Sequence, residues 1–250
     1  PPTIPFPIPD ARIPGDWPSV PVRMLRHYAD PVADDVIAAV FKNGQEKALS
    51  DLMATLVRSD DPIPAGLPPV AFDYFKNTEA MPAFADERLL RIAEEIFEND
   101  GWVVALGLFT SSLPQAYCAK NGARVLLKTG GMRGNTRRRI LETAQFVFDV
   151  LNVGAFTATG RGVRSAQKVR LMHATIRHLT LMEGQWDSKS WGVPLNQEDL
   201  AGTLMTFSVV VLDVFESVGV RLSEQQQSAY LHLWRVVGHF LGIDARLFPV

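Results

Sequence analysis

SAQKVRLMHATIRHLTLM, residues 165–182, sets the fold class and raises the question of function. Its pattern is that of a core helix, yet it carries His173 with Arg170 three residues before and Arg177 four residues after. Residues three and four apart share a helix face, so the histidine is bracketed by cations one turn below and one turn above. Two nearby cations disfavour an imidazolium and favour the neutral ring, the form that ligates metal. The plain alternative is a histidine satisfied in the core by a carbonyl or carboxylate.

Outward from this helix the pattern stays helical. DPVADDVIAAVFKNGQEKALSDLMATLVRSDDPIP reads as two helices separated near Asn43-Gly44, with Asp30 or Asp34 as N-cap and Pro62 and Pro64 as the stop. FADERLLRIAEEIFENDG reads as an amphipathic helix ending at Gly101. NTRRRILETAQFVFDVLN is a strong helix. Asn196 is the expected N-cap of a helix running to Gly219, with Glu198 and Asp199 in the first turn, where the helix dipole favours anions. Ser223 and Gln226 form a capping box for the last helix. No period-2 strand pattern of useful length and no internal repeat is seen, so the expected class is all-α, a single multi-helix domain over 30–250 behind a proline-rich extension, 1–29.

Composition excludes several functions. The 250 residues are 47% hydrophobic and 21% charged with a formal net charge of −2, which gives no global reason to expect nucleic acid as partner. The one basic run, RGNTRRR at 133–139, reads as a helix end. A single cysteine, Cys118, excludes an internal disulfide framework and every multi-cysteine metal site. The apolar run LMTFSVVVLDVF is short and broken by Asp213, so it reads as a buried helix and no transmembrane segment is expected. The proline-punctuated start has neither a basic region nor an apolar run of signal-peptide type, which leans the expected location to the cytoplasm.

Metal spacing narrows the reading of His173. His173 and His178 are five apart and point to different sides, and His232 and His239 share a face but lie roughly 10 Å apart by helix rise. There is no HExxH motif and no carboxylate-bridged di-iron pattern. A single-histidine site favours a cofactor that brings its own nitrogens, and the two arginines suit carboxylates such as haem propionates. A second constellation lies in RRRILETAQFV, where Arg139, Glu142, Thr143 and Phe146 fall on one side of a helix beside an apolar stripe of Ile140, Ala144, Val147 and Leu151. It reads either as a solvent-facing side with an Arg139–Glu142 or Arg139–Thr143 contact, or as a polar face looking into an apolar pocket, with a carboxylate available as base. No GxSxG turn is present, and GRGVRS and TGGMRGN read as turns rather than phosphate loops.

SLPQAY, NGARVLLKTGG, RRRILETAQFV, GRGVRSAQKVRLMHATIR, Trp186, GVPLNQEDLAGTLMTFS and AYLHLWRVVGHFLGID together resemble the catalytic domain shared by bacterial rubber oxygenases (latex-clearing proteins) and the oxygenase of fungal mycophenolic-acid biosynthesis. The resemblance runs from about residue 30 to the end. It implies a haem b oxygenase in which dioxygen cleaves carbon–carbon double bonds of an apolar isoprenoid substrate. His173 matches the proximal haem ligand, and Arg170 and Arg177 match the arginines flanking it and would hold or balance the propionates. Arg139 and Thr143 match distal-side residues. Glu142 stands where the rubber oxygenases carry a lysine able to cap the iron, and SLPQAYCAKNGARVLLKTGG lacks the further catalytic carboxylate of those enzymes, so either Glu142 replaces it, as base, proton shuttle or iron-capping group, or the chemistry differs from theirs. The family pattern continues past GIDARLFP, so the chain is expected to be short at its C-terminal side. The rival readings are a haem-binding sensor or carrier without turnover, and a helical domain with no metal.

Overall fold

The computed structural model describes residues 22–63, 68–128 and 136–249; all but the last eight residues of the expected N-terminal extension therefore lie outside the described residues. Among the described residues no strand occurs. A 3-10 turn, Val22–His27, leads into α1 (Pro31–Lys42), α2 (Glu46–Thr55), α3 (Pro69–Asn77) and α4 (Glu87–Gly107). A π-turn, Leu108–Ser112, joins α4 to α5 (Leu113–Cys118) and α6 (Lys120–Lys128). Then come α7 (Thr136–Leu151), α8 (Gly162–Met182), the short α9 (Ser188–Trp191), α10 (Gln197–Phe207), α11 (Val209–Ser217) and α12 (Glu224–Phe240).

The helix carrying His173, α8, is the shared wall of two apolar clusters. Val163 and Ala166 belong to the larger, built from α4, α10, α11 and α12 around Val103, Val104, Leu204, Val211, Leu233 and Trp234. Leu171 and Ala174 belong to the smaller, formed with α1, α2 and α3 around Val36, Ile37, Leu52 and Phe75. Helix α8 thus packs against α1, α7 and α12 at once. A residue on it is held by three neighbours, and small changes of register are costly because interiors are close-packed.

Local signals place several helix ends as expected. Gly44, at φ 64°, turns the chain between α1 and α2. The Asn196 side chain accepts from Asp199 N, and Ser223 and Gln226 form the reciprocal capping box. Arg137, Arg138 and Arg139 lie at the start of α7, so that part of the basic run is a helix end.

Other expectations are corrected. Gly101 does not end α4: the helix kinks at Asp100 (φ −126°, ψ 23°) and continues to Gly107, because Val103 and Val104 are buried in the larger cluster. Helix α2 ends at Thr55, well before Pro62, where Leu56 turns extended and buries its side chain. The helix expected from Asn196 to Gly219 breaks at Ser208 into α10 and α11, the Ser208 hydroxyl donating back to Leu204 O at 2.8 Å. Among the described residues Gln197–Ser217 is the one stretch long and apolar enough to cross a membrane by length and composition; its Leu204, Val211 and Phe215 lie in the core. Residues 24–29 are built into the fold rather than extended from it: Leu25 is buried, and Arg26 forms a two-pronged ion pair with Glu198 at 2.6 and 2.9 Å.

Candidate functional site

On α8, at positions i−3 and i+4 from His173, both arginines reach the same neighbour, α1. Arg170 donates from Nε and Nη2 to the two oxygens of Asp30 at 2.5 and 2.7 Å. Arg177 donates from Nε to Asp34 Oδ1 at 2.8 Å, and from Nη1 to Leu195 O at 2.7 Å and Pro194 O at 3.3 Å. Both carboxylates and both guanidiniums are buried. The sequence reading turned these arginines toward cofactor carboxylates; the structure places them on Asp30 and Asp34. As a result Asp30, at the N-cap position of α1, makes no side-chain cap bond.

The polar clamp extends along the rest of α8. Arg164 reaches Glu79 Oε2 at 3.0 Å and Ser59 O at 2.9 Å, and Gln167 donates to Phe75 O and the Thr78 hydroxyl. Lys168 donates to Leu56 O at 2.8 Å. These groups fix α8 against α1, α2 and α3 by directional bonds. Buried polar groups of this kind are destabilising when left unpaired, so they select a single docking of the helix.

His173 sits where that clamped side gives way to a barely covered one. Val169 and Ile176 are partly buried, while Met172 and Leu179, farther round, are 42% and 43% exposed. The ring is only partly exposed, and its Nδ1 is fully buried with no hydrogen-bond partner among the described residues. Burial, reinforced by Arg177 and partly countered by Asp30, holds the imidazole down at about 4. The ring is therefore neutral at pH 7, with a nitrogen whose lone pair or proton is not committed to the protein.

The depressed imidazole has a measurable consequence. The unfolded chain takes up the histidine proton near 6.5 and the folded protein only near 4, so the stability it contributes is fully present above pH 6.5 and is lost as pH falls to about 4. The full swing is about 3 kcal/mol. Asp34 acts in the opposite sense: burial pushes its carboxyl up to about 6, so the folded state is favoured as that group is protonated. A comparison of the protein with His173→Gln, which keeps Asp34, isolates the histidine. The difference in unfolding free energy, parent minus variant, should rise between pH 4 and pH 6.5; a flat difference in urea titrations across that window removes the depressed imidazole.

Helix α7 packs along α8 and is tied to it by Asp149, which accepts from the Ser165 hydroxyl and pairs with Arg161, each at 3.0 Å. Of the second constellation, Arg139, Thr143 and Phe146 are half-buried, and Phe146 packs on the larger cluster. Glu142 is exposed, and its partner is Arg138 at 2.7 Å rather than Arg139. The polar residues of α7 are thus split, with Arg139 and Thr143 half-buried and Glu142 held outward. Asp30 and Asp34 were missed as site residues because both have the local appearance of helix caps. The available signal was a pair of acids four apart to match two buried arginines seven apart.

Fold and site define an all-helical protein whose long helix α8 is clamped to α1 by two buried ion pairs that bracket His173. Residues 100–250 match the family described as ER-bound oxygenase mpaB/B′/Rubber oxygenase, catalytic domain, and the chain belongs to that family. A rubber oxygenase of Streptomyces sp. (strain K30) is 30% identical over 223 residues, which is 88% of this chain and 54% of that protein. The solved structure of a latex clearing protein in the closed state superposes with a TM-score of 0.78 at 28% identity, covering 90% of this chain and 61% of that one. The chain thus spans little more than half the length of these relatives.

Proposed function

We propose that this chain is the catalytic core of a haem b-dependent oxygenase that acts with dioxygen on an apolar, alkene- or isoprenoid-type substrate. The observation that carries the reading is His173: neutral at pH 7, with Nδ1 buried and without a partner among the described residues, at the edge of the apolar side of α8 formed by Val169, Met172 and Ile176. The donor set fits a macrocyclic cofactor. Among the described residues no three His, Cys, Asp or Glu side chains stand together, so His173 suits an iron that arrives with most of its ligands already in place. Bound there, haem would supply the oxygen activation, and the chain the ligand, the polarity and the access.

In this reading His173 would hold the haem iron, and the apolar side of α8 would exclude water from the cofactor. Arg139 and Thr143 are the half-buried polar groups that α7 contributes, and would supply hydrogen-bond donors beside the cofactor. Glu142, paired with Arg138 on the solvent side of the same helix, would be the carboxylate that α7 offers as base or proton shuttle. The name of the rubber oxygenase relative supports an isoprenoid substrate.

The test is the absorption spectrum of protein purified from haem-supplemented cells, with a pyridine haemochrome assay, followed by oxygen uptake on adding polyisoprene or short isoprenoid alkenes. A Soret band at about one haem b per chain together with uptake is the expected result. A Soret band without uptake makes the chain a haem-binding sensor or carrier. A colourless protein removes the reading.

A further inference from the structure

We infer that Asp30 is a positioning residue for the His173 site: through Arg170, and under a glycine lid from the end of α12, it sets the orientation of the histidine. The inference rests on His173 being the ligand, and adds that α1, which lies outside the matched segment 100–250, belongs to the site.

Three observations converge on this pair. First, Arg170 approaches Asp30 with two parallel bonds, an arrangement that fixes the angle as well as the distance between α1 and α8. Second, the pair is roofed by Gly242, whose φ of +75° suits glycine. A Cβ there would clash with Arg170 Nε and lie 2.5 Å from Asp30 Oδ2, so no larger residue fits without displacing the pair. Third, Gln197 locks the roof: its Nε2 donates to Ala29 O and Gly242 O, each at 3.0 Å, and its Oε1 accepts from Asp244 N at 3.0 Å. The residue next to Asp30, the roof over the pair and the start of α10 are therefore joined by one side chain. Its own backbone N–H donates to Tyr28 O at 2.9 Å.

His173 lies one turn along α8 from Arg170, on the same side of the helix. Its Nδ1 has no hydrogen-bond partner among the described residues. In most metal sites the ligand histidine is oriented by a bond from its second nitrogen, and loss of that support weakens binding about 10- to 100-fold. Here that support is supplied through the helix, by the Asp30–Arg170 pair, in place of a direct bond to the ring.

Two variants approach the pair from opposite sides: Asp30→Asn removes the charge with little change of shape, and Gly242→Ala crowds the pair from above. The first readout is the His173 ring signal in the NMR spectrum of the haem-free protein, assigned by its loss in His173→Gln. The second is the affinity for added haem b and the electron paramagnetic resonance spectrum of the ferric complex. Ser223→Ala, which weakens the far end of α12, controls for lost stability. Both site variants should shift the His173 ring signal, weaken haem binding about tenfold and change the ferric g-values, while Ser223→Ala does none of these. If both lower the melting temperature yet leave the ring signal, the affinity and the g-values as in the parent, the pair only holds the fold together and the inference is overturned. If the parent itself binds no haem, the oxygenase reading fails, and the ring signal alone decides whether Asp30 positions His173.

Discussion

Arg177→Met should lower the free energy of unfolding at pH 7 by about 3–5 kcal/mol, the range found when one partner of a buried ion pair is removed. Arg177 is 1% exposed, and its guanidinium serves three acceptors: Asp34 Oδ1, Leu195 O and Pro194 O. Methionine fills much of the stem volume but leaves Asp34 buried beside Asp30 and two carbonyls without donors. The Leu195 carbonyl matters most, because Leu195 is, among the described residues, the non-glycine residue with a left-handed backbone, at φ 51°. Such a conformation costs about 1–2 kcal/mol and persists only where neighbours enforce it. Releasing it frees the segment between Gly192 and Asn196, whose side chain caps α10. Asp34→Asn should cost less, since the amide oxygen still accepts from Arg177 and the two carbonyl bonds remain. The double variant Arg177→Met, Asp34→Leu should recover a large part of the loss, because a buried pair replaced on both sides by apolar groups is often neutral. Urea titrations of the three variants decide it: a loss below about 1 kcal/mol for Arg177→Met would mean that water reaches Asp34 and the clamp is not closed.

How far the sequence disclosed this arrangement depends on the range of the interaction. Asn196, Ser223 with Gln226, and Gly44 act within four residues, and each was legible. His173 was legible as unusual because its two arginines sit on the same helix face. The targets of those arginines were not: Asp30 and Asp34 lie about 140 residues away in the chain, and their acidic side chains beside Pro31 look like caps. The end of α4 was misplaced because Gly101 has a stop-like local pattern, while the burial of Val103 and Val104 against α11 and α12 outweighs the roughly 1 kcal/mol cost of glycine in a helix. The break at Ser208 was hidden inside a continuous apolar run. The partner of Glu142 turned on a single residue, since i−3 and i−4 are both within reach on a helix and the structure takes Arg138.

The second large effect concerns His173→Ala, which should abolish haem retention while the protein stays folded. Loss of the part of the ring that packs in the protein costs about 1–2 kcal/mol, less than full removal of a large core side chain. Against this, the change removes a nitrogen that is fully buried and unpartnered, a burden of about 1–3 kcal/mol in its own right. The two terms are of similar size and opposite sign, and the Arg170–Asp30 and Arg177–Asp34 pairs that dock α8 on α1 are untouched. A colourless variant with a parent-like melting temperature therefore reports the loss of a ligand and not of the fold. His173 is partly exposed, beside the partly buried Val169 and Ile176 and the exposed Met172, so the space left by the ring is reached from solvent and millimolar imidazole should restore part of the Soret band. Equal Soret absorbance per chain in variant and parent would sink the assignment of His173. Restoration by imidazole, absent when Met172→Trp closes the same side, would tie the lost ligand to this position on α8.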